Sequence, residues 1–237
     1  MSNIQNILWG ITVRGTSLTS LNDLSSLTSV GGTYMSSSFN ASFIIEENPL
    51  LTDISILDNI DTTYFNRIDI VDNTSLEVCN YPIICNFIAT EGKTMRVSGN
   101  DQGCENSIRL YDICGYECPP SLEFNTQAEV NSFATYFSEC THINGSLTIL
   151  DGVEDLSPLS NIESIEGVLS VEGTQLTDLN DLSSLTSIGG LGLGYNELLN
   201  DVSALENVTI NPAGDLYIIN NPSLSVCEIG SICNYLQ

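Results

Sequence analysis

Residues 16–32, TSLTSLNDLSSLTSVGG, return as residues 174–190, TQLTDLNDLSSLTSIGG, with changes only at 17/175, 20/178 and 30/188. A chain that repeats itself this closely must build the same supersecondary unit twice. Further along, the offset falls from 158 to 148, where Cys79 and Cys85 of SLEVCNYPIICNFI answer to Cys227 and Cys233 of SLSVCEIGSICNYL. The difference places an insertion in the first copy near Thr33 to Ser42.

A shorter period runs inside each copy. Apolar-x-apolar triplets begin at Ile11, Phe43, Ile68 and Met95, and again at Leu147, Leu169, Leu191 and Leu216; a turn rich in Asn, Asp or Gly follows each. A second apolar set then appears, as in Leu176, Leu179, Leu182, Leu185 and Ile188. Spacings of 22 to 32 residues predict a β-rich solenoid, because one such repeat cannot bury its apolar edge without a neighbour. Period-two geometry sends the outer residues of each triplet inward and the middle one outward. The outward row is then Thr12, Ile44, Asp69 and Arg96 in the first copy and Thr148, Ser170, Gly192 and Tyr217 in the second. Gly31-Gly32 and Gly189-Gly190 are expected at corners that need positive φ. Asp53, Asp178 and Asp201 are expected to hold turns through side-chain hydrogen bonds.

Thr126-Gln-Ala-Glu129 reads as a capping box, and Val130, Phe133, Ala134 and Phe137 follow at helical spacing. The pattern predicts an amphipathic helix over 127–137, with short helices around 81–88 and 228–236. A boundary near 115–120, stiffened by Pro119-Pro120, divides the chain into domains 1–115 and 118–237.

The LTxLNDLSSLTSxGG rung, the LYIxNNPSLSVC turn and the VCxxxxICNYL element resemble receptor L domains, most closely their repeats in bacterial cell-surface proteins. The CPPSLEFNTQAEVNSFATYFSECTHINGSLTI stretch resembles that family's start. The resemblance implies a tandem single-stranded right-handed β-helix, leucine-rich-repeat-like, closed by short capping helices and disulfides. It also implies ligand recognition by the sheet face or a projecting loop. The family's helical opening is lacking before the first copy, and the second copy stops short of the first one's last segment, so both ends are expected to continue in a longer chain.

Eight cysteines at short spacings beside a single histidine favour disulfides and an oxidising, extracellular or cell-surface location over zinc. Cys118 and Cys140 flank the capping helix and would staple it. Cys79, Cys85, Cys104 and Cys114 form a set of four, read here as 79 with 104 and 85 with 114, although sequence alone leaves three pairings open. Cys227 and Cys233 lack the matching partners and are expected to be unpaired, or paired with each other by default.

The net charge of −25, with no Lys or Arg after Arg109, opposes binding to nucleic acid and to anionic membranes. No stretch suits a membrane span. His142 has no marked triad partners, and no pair of carboxylates stands out. No enzyme activity and no cofactor is expected. Structural calcium is a subsidiary reading, on Asp151, Glu154 and Asp155 or on Asn196, Glu197 and Asp201. The function expected is a non-enzymatic ligand-binding or adhesion module for a protein or glycan, the alternative being a structural spacer presenting another domain. Its candidate contacts are Tyr34, Met35 and Phe39 in the insertion, with Tyr217, Ile219 and Arg96 on the sheet face. Trp9 is expected to fill the end of the core. The sequons at Asn40, Asn73, Asn144 and Asn207 would accept sugar in a eukaryotic secretory pathway.

Overall fold

In-register stacking of the apolar triplets organises the molecule. The computed structural model describes residues 4–31, 41–61, 63, 65–90, 92–224 and 229–236. It separates into two compact units, Met1–Tyr116 and Glu117–Gln237.

In the first unit, strands β1 (Asn6–Ile7), β2 (Ile11–Arg14), β3 (Ser29–Val30), β4 (Ala41–Glu46), β5 (Phe65–Val71) and β6 (Thr94–Ser98) form two parallel sheets. Helices α1 (Pro82–Ile88) and α2 (Ser107–Ile113) interrupt the strand pattern. The main sheet has the order β2-β4-β5-β6 and aligns Ile11, Phe43, Ile68 and Met95 side by side. Its inward residues Phe43, Ile45, Ile68, Ile70 and Val97 meet Leu21, Leu27, Ile54 and Leu57 from the turns, with Ile84, Phe87 and Leu110 from the helices. α2 docks on α1 through a hydrogen bond from Tyr111 Oη to the Ile88 carbonyl, and Tyr116, just after α2, donates from Oη to the Cys85 carbonyl.

In the second unit, β7 (Leu122–Phe124) precedes α3 (Gln127–Tyr136), and β8 (His142–Ile143), β9 (Leu147–Ile149), β10 (Ser164–Glu172), β11 (Ser187–Gly194), β12 (Thr209–Ile210), β13 (Leu216–Ile219) and α4 (Gly230–Tyr235) follow. The strands form one parallel sheet in which Leu122, Leu147, Leu169, Leu191 and Leu216 share a row. The α3 capping box forms as expected: Glu129 N–H donates to the Thr126 hydroxyl, and Glu129 Oε2 accepts from Thr126 N–H. Val130 and Phe133 of α3 are buried. Burial holds the Glu129 carboxyl above its usual pKa, against the backbone hydrogen bonds from Asn125 and Thr126.

The expected solenoid, a tandem single-stranded right-handed β-helix, does not stand. Among the described residues the strands lie in three separate parallel sheets, none of them closed, together with four α-helices. The period was right about which residues pair but wrong to treat every repeat as an equal coil. The second apolar sets mostly form 3-10 turns, at Asn22–Leu24, Ser55–Asn59, Ser157–Leu159, Asn180–Leu182 and Ser203–Leu205, while α1 and α2 supply core side chains of their own. The result is a pair of open α/β units.

Every triplet except the one beginning at Leu147 ends in the same local device. The second residue after it takes a left-handed conformation, at Gly15, Glu47, Asp72, Gly99, Gly173, Tyr195 and Asn220. The next residue is Thr or Asn: Thr16, Asn48, Asn73 and Asn100, then Thr174, Asn196 and Asn221. Asn73 Nδ2 donates to the carbonyls of Ile45 and Val71, and Asn48 N–H donates to Asn73 Oδ1. Asn196 repeats the pattern between Thr174 and Asn221. These ladders pair backbone groups that leave the sheet at its end.

Two expectations about glycine and tryptophan change. Gly31 has φ 90°, but Gly189 and Gly190 are not in the left-handed region. At Gly189 a Cβ would strike the Glu166 and Gly167 carbonyls, and at Gly190 it would lie 2.8 Å from the Asp215 carbonyl oxygen, so close backbone approach requires these glycines. Trp9 is 59% exposed rather than core.

Candidate functional site

Strand alternation leaves each main sheet with one outward face, and the two faces differ in chemistry. On the first, Thr12, Ile44, Asp69 and Arg96 lie side by side across β2, β4, β5 and β6. Asp69 is only 1% exposed although it points away from the core, because arginines cover it. Arg67, two residues earlier on the same strand, donates from Nε and Nη2 to its carboxylate at 2.7–3.0 Å. Arg96 Nη2 lies 3.5 Å from the same carboxylate and donates to Glu46 Oε1 at 2.7 Å. Arg14 pairs with Glu46 and Glu47. Hydrogen bonding to Asp69 raises the Arg67 pKa. Three of the chain's five cations thus gather on one face, bound to carboxylates.

On the second face, Glu123, Thr148, Ser170, Gly192 and Tyr217 form the row. Gly192 has no side chain, and the Tyr217 ring lies over its buried backbone where any Cβ would collide. The phenol thereby reaches across β11 to β10. Tyr217 Oη donates to Glu172 Oε1 at 2.6 Å, Ser170 Oγ donates to the same oxygen at 2.7 Å, and the two hydroxyl oxygens are 2.9 Å apart. Hydrogen bonds from Tyr217 and Ser170 lower the Glu172 pKa, and the bond to Glu172 raises that of Tyr217. Ile219, in register with Gly194, is 43% exposed beside this group. The next turn adds an open cleft lined by Tyr195, Glu197, Asn220, Asn221 and Pro222.

Of the proposed contacts, Tyr217 and Ile219 share the second unit's face, and Arg96 lies on the first unit's face. Tyr34, Met35 and Phe39 lie outside the described residues. Sequence reasoning passed over Arg67, Glu46, Ser170 as a partner of Tyr217, and Glu172. Their signal was the period of two: Arg67 precedes Asp69, and Glu172 follows Ser170, by one outward step.

Disulfides join Cys79 with Cys104, Cys85 with Cys114 and Cys118 with Cys140. Cys233 is free and exposed, and Cys227 lies outside the described residues. The oxygen ligands suggested for calcium are partly committed elsewhere. Asp155 accepts from the Ser157 amide and hydroxyl, Asp201 accepts from the Ser203 amide, and Asn196 is buried in its ladder. Asp53 and Asp178 accept in the same way from Ser55 and Asn180. His142 is exposed, with Nδ1 against the Thr141 hydroxyl.

No curated protein and no solved structure matches the chain. Residues 139–235, most of the second unit, match the family model described as Receptor L domain.

Proposed function

We propose that the chain is a non-enzymatic, extracellular ligand-binding module that recognises a protein or glycan on the outward sheet face of its second unit. The observation that carries this reading is the Tyr217 ring, laid on the glycine floor of β11 and held by Ser170 and Glu172. An aromatic fixed before contact loses little entropy on binding, and a flat ring beside a carboxylate offers both stacking and hydrogen bonding. Ile219 and Tyr195 extend the apolar surface. The Receptor L domain match over residues 139–235 supports a ligand-binding role for this unit. The 14-of-17 internal repeat relates the first unit to it. Three disulfides support an oxidising location.

A binding screen of the whole chain against arrayed glycans and receptor ectodomains, run beside Tyr217→Ala and Arg96→Ala, tests the reading. A ligand lost with Tyr217→Ala and kept by Arg96→Ala places recognition on the second face. A ligand insensitive to Tyr217→Ala removes that face from the account, and no ligand in any arm favours a spacer.

A further inference from the structure

We infer that the outward face of the second unit, taken as the recognition surface proposed above, receives the arginine-bearing outward face of the first unit of another copy of this chain. The internal repeat makes the two faces comparable position by position. Offsets of 158 and 148 equate Arg14 with Glu172, Arg67 with Asp215 and Asp69 with Tyr217. Charge is therefore reversed at the first two positions, on strands that pair in the same order, β2-β4-β5 against β10-β11-β13.

The first face shows its cations and hides its acids. The side chains of Arg14, Arg67 and Arg96 are 58%, 49% and 53% exposed, whereas those of Glu46 and Asp69 beneath them are 12% and 1% exposed. Of the carboxylates they bind, Glu47 alone is open to solvent. Glu46 and Asp69 hold the three guanidinium groups in place, so little side-chain entropy is left to lose on contact. Arg67 turns Nε and Nη2 to Asp69, and among the described residues its Nη1 has no acceptor.

The second face offers what such a group binds. Its Tyr217 ring lies flat on β11, with Glu172 accepting from the phenol at 2.6 Å, and the charges of Glu172 and Asp215 both raise the Tyr217 pKa. A ring bounded by carboxylates attracts a guanidinium through cation–π contact and charge-assisted hydrogen bonds. No Lys or Arg stands after Arg109, so the second unit has no cation of its own to take that place. Contact between unlike faces leaves one of each kind open on the pair, so association can continue past a dimer. The charge of −25 on each copy opposes approach. Sodium chloride at about 0.15 M, with a Debye length of about 8 Å, screens that repulsion more than it weakens pairs in contact.

Sedimentation velocity of the full chain at this salt concentration tests the pairing. The first-face variants are Arg14→Gln and Arg96→Gln, made singly so that Glu46 and Asp69 each keep a guanidinium. The second-face variant combines Glu172→Gln, which keeps an acceptor for Tyr217 and Ser170, with Asp215→Asn. The unaltered chain is expected to associate as its concentration rises, and each variant alone roughly tenfold or more weakly. A mixture of a first-face and a second-face variant should pair one to one with the unaltered strength, because an intact face of each kind then meets the other; a misfolded variant could not do this. Association that either set of variants leaves unchanged would overturn the proposal, as would a mixture that fails to pair. A chain that stays monomeric while an outside ligand is still lost with Tyr217→Ala overturns this partner and leaves the second face as a recognition surface; a chain with neither removes both.

Discussion

Asn73 joins three strands with one amide group: Nδ2 donates to Ile45 on β4 and Val71 on β5, and to Asn100 beyond β6. It is fully buried, so Asn73→Ala strands the Ile45 carbonyl and the Asn48 amide away from water. The expected loss is about 3 kcal/mol, read by urea unfolding. The same burial bars glycosylation of this sequon in the folded protein. Made in a sugar-attaching secretory host, the chain should carry glycan at the exposed Asn144 and Asn207 and none at Asn73, as mass spectrometry of its peptides would register. On the second face, Tyr217 holds Glu172 ionised to lower pH than usual. Because the folded pKa is depressed, the stability this carboxylate contributes is present above its unfolded value, near 4.3, and is lost as pH falls through the folded value. Tyr217→Phe removes one donor, so the Glu172 carboxyl should titrate at higher pH, as a carbon NMR titration would record.

Among the elements, α3 depends on its first turn. Thr126→Ala removes the hydroxyl that accepts from Glu129 N–H and should cost about 1 kcal/mol in thermal or chemical unfolding. Such elements were legible in advance where their signal is local. The capping box announced α3, and the triplets beginning at Ile11, Phe43, Ile68, Met95, Leu147, Leu169, Leu191 and Leu216 are the residues that align. β7 escaped notice although Leu122-Glu-Phe124 lies 25 residues before Leu147 and so keeps the period, because it stands beside a proline pair and directly before the capping helix. The Asn ladders and the Tyr217–Ser170–Glu172 group were not legible as sites. Apart from Ser170 and Glu172, neighbours on one strand, the partners that join different strands lie 22 to 47 residues apart and meet only after register is fixed. What the sequence did offer was the outward row, which already placed Ser170, Gly192 and Tyr217 together.

For the whole molecule, repetition explains both the success and the failure of reading by period. Identical rungs impose parallel pairing, but the inserted helices and 3-10 turns make each unit an open α/β body rather than a uniform coil. The charge of −25 adds a cost to compactness that added salt should relieve. The melting temperature should therefore rise between low ionic strength and about 0.15 M sodium chloride, where the Debye length is about 8 Å. A fall would mean that the arginine pairs on the first face outweigh the general repulsion. The central claim is that the second unit's face receives the ligand, and an amide-exchange footprint of the whole chain with the ligand taken from the binding screen tests it most directly. Slowed exchange over β10, β11 and β13 around Ser170, Gly192 and Tyr217 is the predicted result; protection confined to other segments, with these strands unchanged, would contradict it.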